Sequence, residues 1–119
     1  MDFKNFGDYI RELREAKRSK DRSFSVRGLA KKLKIQASYL SRLESGSAPP
    51  PSNEVIRKFA IELKTEASVL MFLAGRIPED LIPFIKKRPS FFNELIEQVK
   101  DLPEQAVLRV VREVRDGKW

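Results

Sequence analysis

The sequence predicts an all-α fold: five helices within residues 1–75, followed by a short C-terminal helical extension over 76–119. Two observations predict it. Apolar residues recur at steps of three and four along most of the chain, the spacing that puts them on one side of a helix. Ser, Asn, Gly and Pro stand at the ends of those stretches, where helices are capped or broken. With 119 residues, 41% of them hydrophobic, the chain is long enough to bury one useful core.

The first helix is expected from Phe6 to about Lys17. Tyr9, Ile10, Leu13 and Ala16 fall on one stripe, and Asn5 is a fitting N-cap. Arg18–Ser23 is polar and charged and reads as a loop. Ser25 caps a second helix, Val26–Leu33, with Val26, Leu29, Ala30 and Leu33 inward. A short turn at Lys34–Gln36 leads to a third helix, Ala37–Ser45, closed by Gly46. Ala48 and the three prolines after it form an extended spacer. Ser52 caps a fourth helix through Leu63, and Thr65 caps a short fifth, Glu66–Ala74, ending at Gly75. Three proline-punctuated segments follow: Pro78–Lys87, Pro89–Lys100 and Pro103–Asp116. Asp101 and Glu104 have the spacing of a capping box before the last. The terminal Trp119 either packs as an anchor or hangs free.

Composition narrows the chemistry. The chain holds 24 Lys/Arg against 17 Asp/Glu, a net charge of +7. Residues 1–75 hold 15 Lys/Arg and 9 Asp/Glu, so the excess lies in the first part of the chain. A basic region of this kind points toward nucleic acid. There is no cysteine and no histidine. Disulfides, thiolate nucleophiles and the usual zinc sites are therefore excluded, as is the best proton-transfer side chain near neutral pH. The glycines are scattered and form no phosphate loop. Glu12, Glu15, Glu94 and Glu97 sit at helix-surface spacing, as solvated charges do. No catalytic residue, metal ligand or cofactor is expected, and the chain is not read as an enzyme. No stretch approaches the roughly 18 apolar residues of a membrane helix, and the start, MDFKNFGDYIREL, has no leader-like apolar run. A cytoplasmic location without membrane attachment is expected.

The most informative stretch is Leu29–Gly46, LAKKLKIQASYLSRLESG. Small Ala30 lets the second helix sit closely on the third. Ile35 plugs the turn, while Leu40 and Leu43 fix the third helix against the first two. That leaves Ala37, Ser38, Ser41 and Arg42 together on the opposite side. Small polar residues permit close approach to a major groove, and Arg can donate two hydrogen bonds to a guanine.

This stretch resembles the Cro/phage-repressor class of helix-turn-helix regulators, also called the xenobiotic-response-element class. The resemblance runs over about residues 6–75. It is carried by IRELREAK at Ile10–Lys17, LAKKL at Leu29–Leu33, SYLSRLESG at Ser38–Gly46, the Pro-Ser start of the fourth helix and the ASVLMFLAG end of the fifth. It implies a five-helix repressor-like DNA-binding domain over 1–75. The third helix would read the major groove of double-stranded DNA, with Gln36, Ala37, Ser38 and Arg42 at base-facing positions. Ser25, Arg27, Tyr39 and Ser41 would lie against phosphates, and Arg14 and Glu44 would form a structural ion pair between the first and third helices. The sequence departs from the pattern at Val26, where Gln is frequent, at Gly28, a poor helix former, and at Lys34, where Gly is frequent. Its first loop is also longer, either reaching a flanking phosphate or remaining loose.

Residues 76–119 are too few to bury much apolar surface alone. Phe92, Leu95, Ile96, Val99, Val107, Val110, Val111 and Val114 are the expected homodimer interface. The alternative is a helical extension that completes a monomer core. The expected function is a sequence-specific, repressing transcriptional regulator. The other reading is a DNA-binding antitoxin or protease-controlled repressor whose C-terminal helices bind a partner protein.

Overall fold

The computed structural model describes residues 4–118. It divides into two compact units, residues 1–78 and 79–119. Eight α-helices and two short 3-10 turns make up the regular structure, and no strand occurs among the described residues. The chain is all-α, as expected. Trp119 lies outside the described residues.

The first unit contains α1 (Lys4–Arg18), α2 (Val26–Leu33), α3 (Ala37–Ser45), α4 (Asn53–Leu63) and α5 (Ala67–Leu73). Its core draws on every helix: Phe6 and Ile10 from α1, Leu29 and Leu33 from α2, Leu40 and Leu43 from α3, Ile56 and Phe59 from α4, and Leu70 from α5 are almost completely buried. Each such side chain contributes about 1.5–3 kcal/mol through loss of water contact. Asn5 is already helical, so it does not cap α1 as expected. Gly7 lets α1 lie directly on the end of α3. A Cβ there would collide with the Leu43 and Glu44 carbonyl groups.

The loop after α1 has regular structure of its own. Its middle is a 3-10 turn, Arg22–Phe24, capped by Asp21, whose carboxylate accepts from the Ser23 N–H at 2.9 Å and from its hydroxyl at 2.7 Å. The turn presses onto α2 at Gly28, where a Cβ would overlap the Ser23 carbonyl. A residue that reads as a helix weakness from sequence is thus a point of close approach. Ser25 caps α2 by accepting the Gly28 N–H at 3.0 Å. Lys34 closes α2 in the left-handed region at φ 59°, as its place in the turn requires. Lys64 does the same after α4 at φ 53°, which the sequence did not suggest.

Gly46, at φ 81°, ends α3, and Ser52 caps α4 through the Val55 N–H at 3.3 Å. The spacer between them is held from a distance. The Arg76 guanidinium donates to the carbonyls of Pro50 and Pro51 and to Asn53 Oδ1. Thr65 does not cap α5; Glu66 occupies that position without a side-chain bond. The Thr65 hydroxyl instead lies 3.5 Å from the Tyr9 hydroxyl.

The second unit contains a 3-10 turn (Glu79–Leu81), α6 (Ile82–Lys87), α7 (Pro89–Val99) and α8 (Glu104–Asp116). Proline at the first position of α7 fits, because the first turn of a helix needs no N–H partner there. The expected capping box does not form. Pro103 takes the N-cap position of α8 in extended conformation, and Asp101 stands two residues too early to reach it. Phe84 and Phe91 meet Phe92 edge-on, with ring centroids 5.1 and 6.2 Å apart. None of the three helices has a buried residue.

Candidate nucleic-acid interface

The outward face of α3 follows from what its inward face must do. Leu40 and Leu43 are fully buried, and Tyr39 and Ala37 are half-buried against the same core. Helical geometry then turns Ser38, Ser41, Arg42 and Ser45 outward together, at steps of three and four, and all four are exposed. Ala37 stands at the edge of this face, its methyl group partly taken up by the core. Ser45 belongs to the outward face by the same spacing, although the sequence reading stopped at Arg42.

Gln36 is the N-cap residue of α3, extended and exposed, and its side chain makes no capping hydrogen bond. The amide is therefore free to reach a ligand beyond the helix N-terminus. The Arg42 guanidinium lies 5.6 Å from the centre of the Tyr39 ring. That cation–π contact restrains its position while leaving its five N–H donors available. The Arg42 carbonyl is occupied, accepting from Ser47 N–H at 3.0 Å, Ala48 N–H at 3.1 Å and the Ser45 hydroxyl at 3.2 Å. These bonds fix the loop after α3 to the residue whose head group faces out.

At the start of α2, Arg27 is exposed and Val26 is half-buried against the core. Val26 thus packs where a polar residue would reach outward. The Ser25 hydroxyl oxygen is engaged by the helix cap, and its proton remains free to donate.

The face is held rigid by a buried ion pair. Arg14 Nε donates to Glu44 Oε2 at 2.7 Å, and Nη2 donates to Oε1 at 2.9 Å, a bidentate arrangement between α1 and α3. Nη1 donates to the Phe24 carbonyl at 3.2 Å, tying in the 3-10 turn, and Arg11 Nε stands 3.6 Å from Glu44 Oε1. Hydrogen bonding to Glu44 raises the Arg14 guanidinium above its ordinary value despite burial. No buried side-chain nitrogen or oxygen among the described residues lacks a partner. The pair links three elements that the sequence separates by up to 30 residues.

Of the residues expected at a homodimer interface, Phe92, Val99 and Val107 are half-buried, while Leu95, Ile96, Val110, Val111 and Val114 are exposed. No helix among the described residues is long and apolar enough to cross a membrane. They contain no group of three or more acidic residues arranged to hold a metal ion.

A family model described as a helix-turn-helix domain matches residues 5–65, which span α1 to α4 and the outward face of α3. No curated protein and no solved structure matches the chain.

Proposed function

We propose, from the premise that this chain belongs to the helix-turn-helix domain family, that it is a sequence-specific transcriptional regulator of double-stranded DNA, acting as a repressor. The observation that carries the reading is the exposed face of Ser38, Ser41 and Arg42, with an unpaired guanidinium, on a helix whose other side is locked into a core. In this reading α3 enters the major groove with its N-terminal end leading. Gln36, Ser38 and Arg42 meet base edges, with Ala37 close to the groove floor. Arg27 and the free N–H groups at the start of α2 meet phosphate, helped by Ser25. Tyr39 and Ser41 flank the groove wall.

The proposed assembly is a homodimer through α7 and α8. Residues 79–119 hold 8 Lys/Arg and 8 Asp/Glu, so two such units approach without net repulsion. The +7 excess of residues 1–78 opposes self-association there. Exposed Ile96, Val111 and Val114 supply the apolar surface. A dimer places two recognition helices on half-sites about one helical turn apart.

The test is selection of random duplex DNA by the full chain, followed by binding of the selected duplex. A motif with two related half-sites is expected. Arg42→Ala should weaken its binding by ~1–3 kcal/mol and relax preference at one base pair. Equal loss on selected and random DNA would show that Arg42 touches only phosphate. Light scattering at concentrations well above the DNA dissociation constant should report twice the chain mass; a monomer there removes the dimer. In that event the exposed helices are the surface for a different protein, as in an antitoxin or a protease-controlled repressor.

A further inference from the structure

Much of the basic charge of the first unit lies off the α3 face. Two adjoining grooves share Ile61 and Glu62 as a common wall. The larger, about 480 Å³, runs beside the end of α1 and is flanked by Lys17, Lys20 and Lys64. The smaller is flanked by Lys32, Lys34 and Lys58, from α2, its cap and α4. None of these six lysines forms an ion pair with another described residue. Asp21, which accepts from Ser23 through Oδ1 and keeps its charge beside Lys17 and Lys32, and Glu62 also line the grooves, so six lysines stand against two carboxylates.

Beside Glu62 in the shared wall stands one exposed apolar side chain, Ile61. Ile61 is 74% exposed, the largest exposure among the large hydrophobic side chains of the described residues. Beside it the Phe24 ring has the ammonium groups of Lys17 and Lys32 at 5.5 and 5.1 Å from its centre. Cations near helix C-termini are favoured by the helix dipole, which accounts for Lys17 and Lys32 but not for Ile61. A DNA backbone would satisfy the lysines and leave Ile61 in contact with phosphate and water. An exposed apolar side chain inside a charged rim is instead the anatomy of a protein–protein contact.

We propose that these grooves dock an acidic, amphipathic segment of a partner protein, with an apolar side chain of that segment seated on Ile61. The lysine rim speeds encounter and selects against basic partners. Ile61 separates a protein segment from other polyanions. The site uses no residue assigned above to DNA, so it stands or falls independently of the α3 reading.

The experiment uses the isotope-labelled full chain and three probes: a synthetic helical peptide rich in Glu with Leu and Phe at steps of three and four, the same peptide with Ser at those apolar positions, and a random-sequence duplex. The first peptide should shift the amide signals of Phe24, Lys32 and Ile61 saturably, and lose affinity as salt rises. Ile61→Ser should weaken it at least about fivefold, with the selected DNA bound as before. Lys58→Glu, on the exposed side of α4, should weaken it in the same direction. The proposal is overturned if the first peptide produces no saturable shift at these residues, or if the Ser peptide binds equally well. It is also overturned if the duplex shifts the same signals while Ile61→Ser changes nothing, which would make the region a phosphate-binding surface. Because Ile61 is exposed, its replacement leaves the core untouched, and an unchanged melting curve checks this.

Discussion

Residues 4–78 and 79–118 are both helical and both carry apolar side chains at helical spacing, but they dispose of them differently. In the first unit the apolar stripes of five helices converge, and nine large side chains are almost wholly removed from water. In the second, Phe91, Ile96, Val111 and Val114 remain about half exposed or more, and α6, α7 and α8 bury no residue. The ion pairs differ in the same way. Arg14–Glu44 is buried and bidentate, whereas Lys100–Glu97 stands in water with both side chains about half exposed. Periodicity therefore specifies where helices form, while the number of helices that can meet decides whether their stripes become a core.

The largest difference in stability is expected between the two ion pairs. Glu44→Ala takes away the buried bidentate partner of Arg14, leaving it only the half-exposed Glu15 carboxylate at 2.9 Å, and should cost up to ~3–5 kcal/mol in urea unfolding. Glu97→Ala should cost no more than ~0.5 kcal/mol. Similar losses at the two sites would mean that the second unit is as well packed as the first. The next contrast uses side-chain truncation. Leu40→Ala should cost ~2–5 kcal/mol. Val111→Ala should leave unfolding of the dilute chain within ~1 kcal/mol of the parent, while raising the concentration at which light scattering reports association.

A smaller effect tests the close approach of the 3-10 turn to α2. Alanine is the better helix former, so Gly28→Ala would stabilise by up to ~1 kcal/mol on propensity alone. The overlap with the Ser23 carbonyl reverses the sign, and a loss of ~1–3 kcal/mol is expected. A gain in melting temperature would show that the turn does not press on Gly28. The smallest effect is that of pH on Asp21. Hydrogen bonds from the Ser23 hydroxyl and N–H hold its carboxyl below the ordinary value. A depressed folded value means that the stabilisation is complete above the ordinary carboxylate range and is lost as pH falls through the lowered value. Asp21→Asn should flatten that acid limb of a thermal-stability profile slightly, lowering stability near neutral pH and converging with the parent at acid pH.

Much of the candidate site was legible because it rests on local rules. The inward positions Leu40 and Leu43 set the outward ones three and four residues away, and Gly46 marks the helix end. Ser45 was within reach of the same rule. The caps at Asn5, Thr65 and Asp101 were misread for a common reason: each has a suitable side chain, and capping depends on where the helix actually begins. Thr65 is drawn to Tyr9, and Pro103 sets the start of α8. Lys64 gave no signal, because nothing in its side chain favours a left-handed backbone.

From its order of residues alone, this chain determined that it is helical, where most helices lie, and which side of α3 is turned outward, because spacing along a helix fixes direction around it. Tertiary structure decided what distant segments do to one another. Gly7 and Gly28 proved to be contact points, Arg76 a clamp on the prolines, and six lysines from three helices and the residues just after them neighbours around Ile61. Such proximity is a property of packed helices in space, and no local pattern encodes it.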